Sequence, residues 1–420
     1  MNTTYRREFD PVDVSSIKFW SQSPEKWEPT FRELRDHRPI SWHPSPEESL
    51  VAGAEDDGFW AVVRHADIVS VSTRPELFCS ERGAQFEELP PEVLRATQSI
   101  VAMDGPRHVK VRNVVSAAFS PIRLASMTER MVAEARRVVA NFAEAGECDF
   151  VEYVSVPIAR WTMMDLLGMP QEMLDEFTRL ISLMLSSRDE EARSGIDRAT
   201  IVDDVITKMT NMTFELACAR RAQPREDLMT DLVQARVDGE PLDDSEISAF
   251  FLLLVGAGFD TPRQTISHAA KALSDFPAQR ALLREDFDAR IPAAIDELLR
   301  WATPVLNLRR TATRDVELNG VPIREGDKVA LFYPSGNRDE RAFRDPHTLD
   351  LTRTPNKHLS FGGGGPHRCV GSVLAKIELR VILRELVLSA PDFHLGEPTR
   401  LTSNFISAIP SMPATAGPLR

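Results

Sequence analysis

The residues best suited to chemistry lie in one short stretch near the C-terminal end, Phe361-Gly362-Gly363-Gly364-Gly365-Pro366-His367-Arg368-Cys369-Val370-Gly371. Four consecutive glycines are costly in a helix or a strand, because each loses the most backbone entropy on ordering. They make sense where the backbone must pass very close to something flat or bulky. After Cys369 an amphipathic run from Ser372 to Leu388 reads as a helix. A cysteine at a helix N-terminus has its thiolate favoured by the helix dipole and the free backbone N–H groups. The stretch therefore offers an anionic sulfur held out from a loop almost without side chains.

Other uses of such a loop fit less well. A glycine-rich loop before a helix often cradles phosphate. Here no G-x-G-x-x-G register fits, and no Gly-Lys-Ser/Thr follows. The run is bracketed by Phe361 and His367 rather than by the polar filler of a flexible linker. The cysteine is single, so a paired C-x-x-C zinc site is excluded at this place. A lone thiolate ligand for a large flat cofactor remains, and haem iron held by one cysteine is the known case.

A second constellation is Ala257-Gly258-Phe259-Asp260-Thr261-Pro262, in the middle of a long apolar helical run. Pro262 has no N–H, so the Gly258 carbonyl loses its i+4 donor and the helix is expected to kink or open. The alternative reading is a structural kink with a solvated Asp. Beside a haem thiolate, an acid–alcohol pair could relay protons into a dry oxygen-activating site. Glu297 and Arg300 lie three apart on one helix among apolar neighbours, which marks a buried structural pair rather than a solvated one. His108 and Arg112 share a helical face and could grip an anion. Arg310 is similar in kind. His367 is too near Cys369 to ligate the same iron and is better placed to hydrogen-bond something beside it.

The chain that must position these groups has 420 residues, enough for a large core. Hydrophobic (42%) and charged (27%) fractions are those of an ordinary globular protein. A net charge of -13 argues against non-specific binding to nucleic acid or anionic membrane. No long apolar run stands in the first forty residues, so neither a signal peptide nor a membrane anchor is expected, and the expected location is cytoplasmic. Cys79, Cys148, Cys218 and Cys369 are far apart and read as reduced thiols.

The periodicity predicts a mainly α fold with small β-sheets and no domain break over residues 1–420. The proline-rich region before Phe59 is expected to be irregular. Strands are expected near Ile40–Trp42 and Phe59–Val63, and a helix over His65–Phe78 interrupted by Pro75. A long loop is expected from Cys79 to Met103, with Pro90-Pro91 in it. Helices follow over 107–119, 121–145, 156–167, 171–185 and 197–223. Asp243 or Asp244 caps the helix that runs to about Asp275, apolar all round in its middle and therefore buried. Prolines open further helices at Pro277 and Pro292. An Asn319-Gly320 turn makes a hairpin over Val316–Ile323, with a strand at Lys328–Tyr333. Beyond Pro391 a short two-stranded piece is expected, its turn near Phe405.

Together these motifs resemble the cytochrome P450 haem-thiolate monooxygenases in their soluble bacterial form. The cysteine loop, the Ala-Gly-Phe-Asp-Thr stretch, the Glu297/Arg300 pair and Phe343-Arg344-Asp345-Pro346 carry the resemblance. It implies a helix-rich lobe with a small sheet-rich lobe, haem b as cofactor, and Cys369 as the iron ligand. It further implies that Asp260 and Thr261 deliver protons. His108, Arg112, Arg310 and His367 would hold the haem propionates, while Phe361, Gly365 and Gly371 belong to the cofactor loop. The implied reaction inserts one oxygen atom of dioxygen into a C–H bond.

No flavin or ferredoxin domain is fused to the chain, so electrons are expected from a ferredoxin and its reductase, with Arg112, Arg123, Arg368 and Lys376 as candidate contacts. The loop is one residue longer than the common pattern, and Pro262 and the replacements at Ala408 and Pro410 are unusual. The longer loop and Leu401–Phe405 are similar to actinobacterial branched-lipid and sterol hydroxylases, which implies an apolar substrate: a methyl-branched lipid, an isoprenoid or a sterol side chain. A peroxide-driven or non-oxygenating enzyme, or a haem-binding sensor, are the alternatives on the same fold.

Overall fold

Prolines and capping side chains set where the helices begin. The computed structural model describes residues 7–46, 58–87, 94, 98–187 and 195–419. The N-terminal region is not irregular: it holds α1 (Ile17–Trp20) and α2 (Pro24–His37). The Ser16 hydroxyl caps α1 by accepting from the Phe19 N–H. Pro24 sits in the first turn of α2, where a missing N–H costs nothing, and Trp27, Phe31 and Leu34 give α2 its buried face. Strands β1 (Ile40–His43) and β2 (Phe59–Val62) pair antiparallel. Helix α3 (His65–Ser72) ends before Pro75 rather than reaching Phe78, and Phe78–Cys79 forms β3 instead. Of the loop expected after Cys79, Pro90 and Pro91 lie outside the described residues.

The helical body follows largely as expected. It contains α4 (Gly105–Ala117), α5 (Pro121–Ala145), β4 (Glu147–Asp149), one π-helical turn at Val151–Ser155, α6 (Val156–Leu167), α7 (Gln171–Ser186) and α8 (Arg198–Ala222). Next come α9 (Leu228–Gln234), the small hairpin β5 (Arg236–Val237) and β6 (Glu240–Pro241), α10 (Asp244–Asp275), α11 (Pro277–Glu285) and α12 (Phe287–Ala302). Helix α12 begins before Pro292, because Asp286 caps it by accepting from the Ala289 N–H. One lost N–H near an exposed turn is tolerated there.

The sheet-rich part holds β7 (Asn307–Ala312), β8 (Val316–Leu318), β9 (Val321–Ile323), β10 (Lys328–Phe332) and the short α13 (Tyr333–Gly336). The Asn319-Gly320 turn has both residues at positive φ, as a tight hairpin requires. The main sheet runs β1-β2-β10-β7-β3, with β10 parallel to β2. After α14 (Ser372–Leu388), strands β11 (His394–Leu395) and β12 (Pro413–Thr415) pair as expected, and β4 adds a third strand.

Helix α10 is the spine. Asp243 and Glu246 form a reciprocal capping box at its start, and its 32 residues span about 48 Å. It packs on α6, α8, α12 and α14. The helix does not open at Pro262: it runs continuously from Asp244 to Asp275 with the proline inside it. One missing hydrogen bond is offset by packing on several sides, and the Thr261 and Thr265 hydroxyls donate to the carbonyls one turn back.

The Glu297/Arg300 pair on α12 is fully buried, as its apolar neighbours imply. Arg300 donates to Glu297 at 2.7 and 2.8 Å and to the carbonyls of Asn337 and Pro346 at 2.8 Å. Glu297 also accepts from Arg353, Asn356 and the Asp350 N–H at 3.0 Å. Two charges on one helix thus fasten the irregular segment that leads into the glycine loop.

A less expected buried acid is Glu378 on α14, whose two carboxyl oxygens lack hydrogen-bond partners among the described residues. Burial raises its pKa from 4.5 to about 8, against a nearby Thr162 hydroxyl. Folded Glu378 therefore keeps its proton while the unfolded chain loses it. Its contribution is full below about pH 4.5 and falls away up to about pH 8, by on the order of 3–5 kcal/mol. Glu378→Gln should thus gain melting temperature relative to wild type progressively from pH 5 to pH 8. A difference that does not change with pH would contradict this assignment.

Candidate active site

The glycine loop is bare chiefly because a helix end lies against it. A Cβ on Gly365 (φ +71°) would sit 2.1 Å from the Ser72 carbonyl oxygen, and one on Gly363 would sit 2.4 Å from the Ser72 hydroxyl. The bulky neighbour on that side is the last turn of α3. The loop turns back on itself: the Gly362 N–H donates to the Leu359 carbonyl at 2.8 Å, and the Cys369 N–H to the Phe361 carbonyl at 3.0 Å. Phe361 is half-buried against the helical core. Cys369 keeps accessible surface, and Gly371 stands at the start of α14. Burial in this recess pushes the Cys369 thiol up, while the Gly371 N–H and the Arg112 and Arg368 charges favour its thiolate.

Around the loop the structure gathers the other cationic candidates. The His108 and His367 rings lie 4.5 Å apart between centroids. His367 Nε2 is 3.0 Å from the Asp104 carboxylate, and its Nδ1 is 3.2 Å from the Ile100 carbonyl. Burial, with His367 and Arg112 nearby, pushes the pKa of His108 down to about 4, and its buried Nε2 has no partner. Arg112 donates to the Arg368 carbonyl and so ties α4 to the cysteine loop. Arg310 on β7 is buried, donates to the Arg309 carbonyl at 2.7 Å and, among the described residues, has no carboxylate within ion-pair distance. Burial lowers its pKa, with Tyr333, Asp104 and Cys79 opposing.

Asp104 is the member that sequence reading missed. It stands just before α4 and accepts from the Ser80 and Glu81 N–H groups as well as from His367. Burial works against its charge, but these bonds hold its pKa below the usual carboxylate value. Its place before Gly105-Pro106, an N-cap position, was the available signal.

The middle of α10 is not buried all round. Ala257 is exposed and Thr261 is half-exposed, although helices pack on α10 from several sides. These two residues, one turn apart, form an open stripe on an inner helix. Thr261 Oγ1 donates to the Ala257 carbonyl. The Asp260 carboxylate is paired with Arg263 at 2.5 Å rather than with Thr261. Opposite in the chain, Val305 and Ile406 form a β-bridge and the Leu306 N–H donates to the Phe405 carbonyl at 2.9 Å. Leu306, Met209 and Leu254 are core residues, whereas Val305 and Phe405 keep accessible surface.

Of the candidate partner contacts, Arg123 is tied to Asp231 and Lys376 to Asp296, leaving Arg368 as the exposed cation beside the cysteine. Among the described residues one trio, Glu28, Glu340 and His347, has metal-ligand spacing. Arg32 and Arg35 run through it and already supply the positive charge.

Residues 160–390 match the family model described as Cytochrome P450. The chain belongs to the cytochrome P450 family. It is 37% identical to the methyl-branched lipid omega-hydroxylase of Mycobacterium tuberculosis, over 96% of this chain and 94% of that protein. It is 35% identical to the steroid C26-monooxygenase of Mycolicibacterium smegmatis, over 90% of this chain and 87% of that one. The solved Mycobacterium marinum cytochrome P450 CYP268A2 in complex with pseudoionone superposes with a TM-score of 0.92 at 45% identity, covering 97% of this chain and 99% of the other. The protein is thus a P450 monooxygenase with the P450 fold, and haem is the cofactor of the family. No helix among the described residues is long and apolar enough to cross a membrane.

The residues present suit haem. An accessible cysteine stands at a helix N-terminus, and two buried groups nearby, His108 Nε2 and the Arg310 guanidinium, lack an anionic partner. Gly365→Ala is expected to force α3 off the loop: it should lower the melting temperature by several degrees and cut haem content when purified. Full haem occupancy with an unchanged melting temperature would show that the α3 contact does not set the loop.

Proposed function

We propose that the chain, acting as one unit over residues 1–420, hydroxylates an apolar methyl-branched lipid, isoprenoid or sterol side chain near its end, with Cys369 as the iron ligand. The observation that carries the reading is the accessible Cys369 at the start of α14, set among Arg112, Arg310, His108 and His367. The two relatives named above support the substrate class, since one is named for omega-hydroxylation of methyl-branched lipids and the other for oxidation of steroids at C26. Haem held by a cysteine thiolate supplies an iron toward which sulfur pushes electron density, favouring O–O cleavage.

The chain's own residues have separate tasks. Arg112, Arg310, His108 and His367 would hold the carboxylates of the cofactor, the buried Arg310 most tightly because no carboxylate of the described residues pairs with it. Phe361, Gly365 and Gly371 shape the loop and leave the thiolate reachable. The open Ala257–Thr261 stripe lets a substrate carbon and a proton donor approach the same place. Thr261 can exchange its bond to the Ala257 carbonyl for one to a guest, and the Gly258 carbonyl, freed by Pro262, is a ready acceptor for water. Asp260, once it leaves Arg263, can take a proton from water and pass it to Thr261. Val305 and Phe405 offer apolar surface to the chain of the substrate.

Electrons come from an acidic ferredoxin docking at the exposed Arg368, fed by a ferredoxin reductase in the cytoplasm. Retention of Asp260 and Thr261 favours this over direct use of peroxide, which needs no relay.

Turnover with ferredoxin, its reductase, NADPH and a panel of branched acids and sterols tests the proposal. Wild type should give a terminally hydroxylated product, at a rate that falls with added salt. Thr261→Ala should bind the same substrate but release most of its electrons as peroxide, losing about tenfold or more in coupling. Unchanged coupling, or equal rates with peroxide alone, would count against the relay and favour the peroxide-driven alternative.

A further inference from the structure

A cavity of about 490 Å³ lies away from the cysteine loop, between α2, the C-terminal half of α10, the end of α12 and the segment around Arg400. Its size is that of ordinary small-molecule sites. Trp27, Phe31, Phe276 and Trp301 give it aromatic walls. Arg338 lies deep in it and keeps accessible surface onto it.

Arg338 is a misfit as a purely structural group. Its guanidinium lies 4.6 Å from the Trp301 ring centroid and donates to the carbonyls of Arg300 and Trp301, each at 3.2 Å. No carboxylate of the described residues lies within ion-pair distance of it. The acids that line the cavity are engaged elsewhere. Glu28 pairs with Arg35, and Asp275 and Glu397 pair with Lys271. Glu25 is held by a hydrogen bond from Ser23 and lies in the field of Arg400. Arg400 itself is exposed at the rim and makes no ion pair among the described residues. His268 is neutral, held by the Ser407 carbonyl at 3.0 Å, with its pKa pushed down by burial to about 4. Burial, with Arg300 and Arg35 nearby, presses the pKa of Arg338 down to about 9 although Glu28 and Glu297 oppose this, so an added negative charge would be favourable there.

We propose that this cavity is a second ligand site, separate from the catalytic one, that takes a small aryl or alkyl carboxylate. The planar guanidinium of Arg338 receives the carboxylate side-on, the aromatic walls hold the apolar body, and Arg400 closes the mouth electrostatically. A guanidinium suits this better than a phosphate-sized anion site would, because its fork matches a flat carboxylate and its surroundings are aromatic. The site lies against the carbonyls of α12 that follow Arg300, so occupancy would bear on the segment that supports the cysteine loop.

The probe is 4-fluorophenylacetate, titrated into the holoprotein and followed by fluorine NMR, with 4-phenylimidazole filling the haem pocket. Saturable one-to-one binding is expected, and the neutral 4-fluorophenylacetamide should not bind. Arg338→Gln should weaken binding about tenfold or more, and Arg400→Glu about threefold. Retained haem spectrum and melting temperature establish that each variant is folded. If Arg338→Gln does not accumulate, the rim variant Arg400→Glu decides alone. Loss of binding when 4-phenylimidazole is added, equal binding of the amide, or affinity untouched by the folded variants would each overturn the second site.

Discussion

Two opposite charges with no access to water hold this molecule in its working shape. Glu297 and Arg300 neutralise one another on α12, and their spare hydrogen-bonding capacity reaches the backbone or side chains of residues 337, 346, 350, 353 and 356. Such a pair adds little net stability over apolar packing, but removing Glu297 would strand the buried Arg300 charge at a cost of about 3–5 kcal/mol. Its value is positional. The segment it pins has almost no regular structure of its own, yet it must deliver Cys369 to a fixed place. Asn337 extends the grip, donating to Thr303 and Ser360 and accepting from the Leu359 N–H at the loop's threshold.

From that anchor the loop is closed on its other side by α3. The last turn of α3 presses so close that Gly363 and Gly365 cannot carry side chains. The sheet side thereby sets one wall of the cysteine loop and the helical side, through Arg112 and α14, sets the other. Asp104 joins the two by accepting from β3's neighbours Ser80 and Glu81 and from His367. The site is a seam between the two parts of the fold, which explains why its cations come from α4, β7 and the loop together.

Much of this was legible in the sequence because it is local. Helix caps such as Asp243 with Glu246, the Asn319-Gly320 turn, and the Cys369 loop each declare themselves over a few residues. Three things were not legible. The N-terminal helices were hidden by prolines that prove to sit at tolerated positions, Pro24 in a first turn and Pro29 within a helix packed by Trp27 and Phe31. The continuity of α10 through Pro262 depends on packing from distant segments, which no local rule contains. The identity of what the glycines touch also needed the fold, since Ser72 is hundreds of positions away in the chain. Asp260 shows the same limit: its type was readable, but its pairing with Arg263 instead of Thr261 was not.

The role proposed for Cys369, presented by this seam, is to bind haem iron as a thiolate. The reduced carbon monoxide complex of the wild-type protein tests it most directly, read beside Cys369→Ala. The wild type should show the strongly red-shifted Soret band of thiolate ligation, and the alanine variant should lose that band even where it retains haem. An alanine variant that kept the same spectrum would contradict the account.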